Sequence, residues 1–273
     1  MAVIGEVLTG PADRPRRSLR LNPAVLAPLV SPLALLAIWY WVASREIFPE
    51  QILVPPGVVL EAFRELTESG ELQEHLGISL YRLTLGFLIG ALSGLIFGVL
   101  LALSRQVRDY AGSLFQALRQ IPTLALIPMF ILFFGIGETL KVVIIVKATF
   151  FPVAVAAWDG VKGIPTQYLE VGHLYRLKRR DLWLRLVLPA AVSPLLTGIR
   201  IALGRSWLVL VAVELLAADS GIGQMMELAR QMMRLDIVMV GVFVTGIIGF
   251  ALDKGFRLLE RLLLRGRIAE KTT

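Results

Sequence analysis

The sequence predicts an all-α, polytopic membrane helix bundle with six transmembrane helices, and three observations predict it. Of 273 residues, 56% are hydrophobic and only 18% charged, against about 25% charged in ordinary soluble domains. So apolar a chain has lipid as its natural solvent. Charge-poor windows of the length that crosses a bilayer, about 20 residues, occur six times along the chain. The lysines and arginines are then distributed unevenly between those windows.

The windows are Pro23–Ala43, Leu83–Ser104, Ser113–Phe134, Leu140–Trp158, Ala190–Leu216 and Ile237–Phe256. An even number puts both termini on one side. That side carries eighteen Lys and Arg: Arg14 to Arg20, Arg105 and Arg108, the cluster from Lys162 to Arg185, and the run from Lys254 to Lys271. The opposite side carries five: Arg45, Arg64, Lys141, Arg230 and Arg234. Basic residues accumulate in cytoplasmic loops, so both termini are expected in the cytoplasm. The division that follows is a cytoplasmic tail over 1–22, a transmembrane domain over 23–256 with a cytoplasmic loop at 159–189, and a cytoplasmic tail over 257–273. The first window is too long for the apolar core of a cleavable signal and lacks a clear small-residue cleavage site, so it is expected to stay.

Composition excludes several chemistries. There are no cysteines, hence no disulfide, thiolate nucleophile or cysteine metal site. His75 and His173 are too few for a histidine metal cluster, and no metal site is expected. The net charge of +7 follows from the placement of basic residues around spans, and no nucleic-acid partner is expected.

Between the first two windows, Pro55-Pro56 breaks any helix. Val59, Ala62, Phe63 and Leu66 then recur at helical spacing and predict a short amphipathic helix with Glu61, Glu65 and Glu68 largely off its apolar stripe. Gly86, Gly90, Gly94 and Gly98 stand four apart in the second window and form a small-residue ridge of the kind that lets helices pack closely in lipid. Pro122 and Pro128 should bend the third window.

Charges inside spans usually face a cavity or a partner. Arg200 and Glu214 are separated by about 21 Å along one helix at 1.5 Å per residue, too far to pair. Arg200 is expected to snorkel toward the cytoplasmic surface. Lys147 and Arg205 lie deeper and are candidates, with Arg119 and Glu214, to line a passage for an anion. Arg119 could equally end its span at the lipid headgroups.

The loop at 159–189 is long for a connector, and its Tyr168, Leu174, Tyr175 and Trp183 would be wasted in a flexible linker. Glu170, followed nineteen positions later by Pro189 in Leu186-Val187-Leu188-Pro189-Ala190-Ala191, resembles the EAA loop of binding-protein-dependent ABC importer permeases. Val171 and Gly172 stand where that loop has two alanines, and Arg176 where it has a glycine. Leu53-Val54-Pro55-Pro56, Ile78-Ser79-Leu80-Tyr81-Arg82-Leu83, Leu118-Arg119-Gln120-Ile121-Pro122 with Ala125-Leu126-Ile127-Pro128, Phe134-Gly135-Ile136-Gly137-Glu138, and Gly198-Ile199-Arg200-Ile201-Ala202-Leu203-Gly204 through Glu214 and Ser220-Gly221-Ile222-Gly223 resemble the nitrate, taurine and aliphatic sulfonate branch of those permeases, the aliphatic sulfonate members most closely. The resemblance covers about residues 50–265.

The resemblance implies a type I ABC importer permease fold in the bacterial inner membrane. The implied partners are a second copy of the chain, two ATPase subunits and a periplasmic substrate-binding protein, all within membrane lipid. It also implies that Glu170, Val171, Gly172, His173, Arg176, Leu188 and Pro189 belong to a helix that docks into the ATPase and couples it to transport. The sequence contains no G-x-x-x-x-G-K-[ST] phosphate loop, so the chain is expected to hold no cofactor and to be no enzyme. ATP and Mg are expected on the partner ATPase.

Two other classes compete. An ion-coupled secondary transporter would need intramembrane acids and internal repeats; Glu214 is one such acid, and no convincing repeat is present. A membrane enzyme would need a cluster of reactive groups, and Ser206, His173 and Asp181 form no motif. The substrate stays open among sulfonates, taurine, nitrate and molecules resembling thiamine precursors.

Overall fold

A computed structural model describes residues 23–45, 49, 53–164, 167, 170, 174–175, 178–182 and 187–268. The predicted amphipathic segment and the apolar windows form helices, and no strand occurs among the described residues. By contact the chain divides into 1–56 and 57–273.

The first unit contains α1 (Pro23–Ser44). Within it the Nε1–H of Trp39 donates to the Val54 carbonyl at 3.1 Å, which brings Val54 back alongside the helix.

The second unit is a bundle centred on α3 (Glu71–Leu103), α6 (Glu138–Lys162) and α8 (Leu188–Ala217). It is preceded by α2 (Pro56–Glu68), which buries Val59, Ala62 and Leu66 and leaves Phe63 at the edge. α3 extends twelve residues before its predicted window, because Glu71 and Glu74 favour the first turn of a helix through the macrodipole and nothing after Gly70 interrupts it. The remaining elements are α4 (Arg105–Leu118), a 3-10 turn (Leu124–Leu126), α5 (Ile127–Phe134), a short α7 (Arg179–Leu182), α9 (Ile222–Gln231) and α10 (Leu235–Ile268).

The third window is therefore not one helix. It is split between α4 and α5 by a non-helical stretch around Pro122. The Pro122 nitrogen has no hydrogen to donate, whereas Pro128 falls in the first turn of α5, where no donor is needed. Of the two prolines only the first breaks the path. Among the described residues three helices (α3, α6 and the Leu235–Leu264 part of α10) are long and apolar enough to cross a membrane, and α8 with α9, bent by 41°, makes a fourth crossing if taken as one.

The glycine ridge of α3 lies on α6. A Cβ at Gly94 would come 2.6 Å from the Phe150 carbonyl oxygen, and one at Gly98 would collide with that of Ala154. Backbone meets backbone there, so only hydrogen fits. α6 meets α8 through Gly198 against Ala156 and a buried 2.6 Å hydrogen bond between the Thr149 and Ser206 hydroxyls. Trp207 of α8 is buried and donates to the Thr245 carbonyl of α10 at 3.0 Å. Phe115 joins α4 to this core, with its ring centroid 5.5 Å from Phe97 and 5.4 Å from Phe151.

Candidate functional site

Two polar sites are built into the second unit. The first is a groove of about 760 Å³ between α6, α8 and the broken stretch after α4. It is lined by Arg119, Lys147 and Arg205 among others, so three of the four residues suggested for a passage come together. Phe151, Pro152 and Val155 of α6 and Ile201, Leu208 and Val209 of α8 supply apolar walls; Asp159 adds one carboxylate. The α6 residues line one face because Lys147, Phe151 and Val155 are four apart.

The three cations differ in their surroundings. Lys147 is half-buried, and its Nζ donates to the Ile121 carbonyl at 2.9 Å and to Thr123 Oγ1 at 3.2 Å. The Phe151 ring centroid is 5.4 Å away. Arg119 and Arg205 are exposed, and neither has a carboxylate partner among the described residues. Arg200 does not line the groove. It lies 3.6 Å from Asp253 and 3.8 Å from Glu260 on α10, so it is a cross-helix ion pair rather than a snorkelling side chain.

Glu214 is not among the groove residues. It belongs to the second site, an ionic cluster with a buried centre where α3, α6, α8 and α9 meet. Arg82 Nη1 donates to Glu214 Oε1 at 2.8 Å and to the Ser220 carbonyl at 2.6 Å. Arg82 Nε donates to Glu138 Oε2 at 2.7 Å, and Lys141 Nζ donates to Glu138 Oε1 at 3.0 Å. Ser79 Oγ donates to the Glu214 carboxylate and accepts the Ile222 N–H at 3.0 Å; the Gly223 N–H reaches Glu214 Oε2 at 3.2 Å. His75 Nδ1 accepts the Gly221 N–H at 3.0 Å.

These contacts satisfy the first backbone donors of α9, which a helix leaves without internal partners. Gly221 has φ 106°, a conformation that glycine adopts without strain, and a Cβ there would collide with the Glu214 carboxylate. The turn thus wraps the carboxylate. In the sequence Glu214 stands out as an acid inside an apolar window, whereas Arg82, Glu138 and Lys141 sit at window edges and do not. A signal existed: Ser79 and Arg82 are three apart at the edge of a span, hence on one helical face.

The bundle and its motifs agree with comparison to known proteins. A family model described as "Binding-protein-dependent transport system inner membrane component" matches residues 94–265. The chain belongs to this family. The permease is 38% identical over 239 residues to the aliphatic sulfonates transport permease protein SsuC of Bacillus subtilis, covering 88% of this chain and 87% of that one. It is 36% identical over 236 residues to the taurine transport system permease protein TauC of Escherichia coli, covering 84% and 85%. Its fold is similar to a chain in the crystal structure of an amino acid ABC transporter, with a TM-score of 0.59 at 16% identity over 73% of this chain and 97% of that one.

In this permease the segment suggested for coupling is described only in part. Glu170 is helical and exposed, Leu188 is exposed at the start of α8, and Pro189 follows it half-buried. Leu174 and Tyr175 are also exposed, at 81% and 74%. Val171, Gly172, His173 and Arg176 lie outside the described residues.

Proposed function

We propose that two copies of this permease form the passage of an ATP-driven importer for a small anion, an aliphatic sulfonate first, with taurine and nitrate next. The observation that carries this reading is the groove, where cations from three chain segments share one concavity with apolar walls. An anion leaving water needs compensating charge. An alkanesulfonate also needs somewhere for its hydrocarbon, and Phe151, Val155 and Leu208 offer it. The names of the similar SsuC and TauC proteins support the same class, since alkanesulfonates and taurine share a sulfonate group on aliphatic carbon.

In this reading a periplasmic binding protein delivers the solute, and two ATPase subunits bind ATP and Mg on the cytoplasmic side. The eighteen-to-five distribution of basic residues favours cytoplasmic termini and hence a cytoplasmic 159–189 loop. Exposed Leu174, Tyr175 and Glu170 suit that loop to docking against an ATPase. The competing secondary-transporter reading needs an acid that can bind and release an ion. Glu214 is enclosed by Arg82, Ser79 and Gly223, which disfavours such a cycle.

The test is reconstitution of the permease with its ATPase and binding protein in liposomes, measuring ATP hydrolysis with ethanesulfonate, taurine or nitrate. Stimulation by ethanesulfonate above the other two is the expected result. Stimulation by none of these anions would overturn the reading.

A further inference from the structure

The stretch between α4 and α5 poses a backbone problem. The Gln120 and Ile121 N–H groups still reach the Ala117 and Leu118 carbonyls, and those of Ala125 and Leu126 reach Pro122 and Thr123. The Ile121 carbonyl, just before the proline, is passed over by this ladder. At membrane depth an unpaired carbonyl is strongly disfavoured, and irregular backbone persists only where protein or a wet cavity satisfies it.

Lys147 supplies the missing donor from α6. An ammonium group has three N–H donors and no acceptor. Here one goes to the Ile121 carbonyl at 2.9 Å and one to Thr123 Oγ1 at 3.2 Å, while the Phe151 ring occupies the space 5.4 Å away. Its two hydrogen-bond partners are neutral oxygens of a single five-residue stretch, and they leave little donor capacity for a solute. Arg119 opens that stretch and reaches the groove with its guanidinium unpaired among the described residues, as does Arg205 from α8.

We propose that Lys147 is a positioning residue: it ties the Pro122 break to α6 and so holds Arg119 in the groove, while Arg119 and Arg205 are the cations that meet the oxyanion. The second half rests on the anion-passage reading; the first does not. A guanidinium presents a planar fork suited to two oxygens of one oxyanion, whereas an ammonium is a point charge that can be spent on carbonyl and hydroxyl oxygens.

Two measurements separate the roles. Because the chain has no cysteine, a Leu124→Cys variant carries a single nitroxide label next to the break. In nanodiscs its spectrum should show a mobile component on addition of Lys147→Met or Thr123→Val; spectra unchanged by both substitutions overturn the strut. The second measurement is ethanesulfonate uptake by the reconstituted importer. Lys147→Met should lower it about tenfold, as expected for loss of a charge-assisted hydrogen bond. Thr123→Val, which keeps every charge, should lower it about threefold, and the double variant should be no worse than Lys147→Met, since the two changes break one linkage. Losses that multiply, or parental uptake in Thr123→Val, would mean that Lys147 acts on the anion directly. If the parental importer carries no ethanesulfonate, the anion reading fails while the spectra still decide the strut. Should Lys147→Met fail to assemble, the Thr123→Val spectrum and uptake decide alone.

Discussion

Arg82 and Glu214 are 132 residues apart in sequence and meet at 2.8 Å, with side chains 1% and 0% exposed. The pair closes the junction of α3 and α8 and, through Ser220 and Gly223, fixes the start of α9. A buried ion pair is weak evidence for net stabilisation, but removing Arg82 strands the Glu214 carboxylate, whereas Arg82 without Glu214 still has Glu138.

Arg82→Met should therefore destabilise the permease by about 3–5 kcal/mol, read as a lower unfolding midpoint in detergent, and Glu214→Leu by less. Arg82→Met with Glu214→Leu should lose less than the two single losses added together, because neither charge is stranded. Additive losses would show that the two residues act separately.

Gly98→Ala should force α3 away from α6, since the new methyl meets the Ala154 carbonyl. A loss of about 1–3 kcal/mol is expected for overpacking. Gly246→Ala on α10 has open space around it and should be neutral or gain about 0.5–1 kcal/mol in helix propensity. Equal midpoints for the two variants would remove the close-packing account.

Arg205→Met should lower anion uptake by about tenfold, the loss of one bond to a charged group, with ATPase copurification unchanged. Arg205→Lys should fall between, because charge is kept and the fork is lost. Parental uptake in Arg205→Met would leave it an exposed cation at a protein edge.

Glu170→Lys should insert normally, as no span is touched, and should weaken ATPase copurification or leave hydrolysis without uptake. Unchanged uptake with unchanged copurification would make Glu170 an ordinary surface acid.

Arg234 donates to both carboxylate oxygens of Glu65 at 2.9 and 2.8 Å. These hydrogen bonds, and then the guanidinium charge, hold the Glu65 carboxyl below its usual 4.5. A depressed carboxylate contributes stability above the ordinary value and loses it as pH falls through the lower one. The midpoint difference between the parent and Glu65→Gln should thus be present at neutral pH and shrink in acid below about 4.5. A difference that grows in acid would contradict the pairing.

The sequence by itself determined the all-helical fold, the amphipathic stripe on α2, the small-residue ridge on α3 and the family motifs. Each depends on the composition and period of one segment: which side chains leave water, and which face of a helix they share. It also marked Arg119, Lys147 and Arg205 as charges out of place in apolar windows. Only the tertiary structure decided what those charges touch. It split the third window at Pro122, joined Lys147 to Ile121 across 26 residues, and took Glu214 away from the groove to meet Arg82. The physical reason is that an intramembrane charge must find a partner or a wet cavity, but a helix's own period fixes only the face on which the charge stands. The partner is chosen by which helices pack together, and that depends on close backbone approach at sites such as Gly94 and Gly98, far along the chain from the charges it brings together.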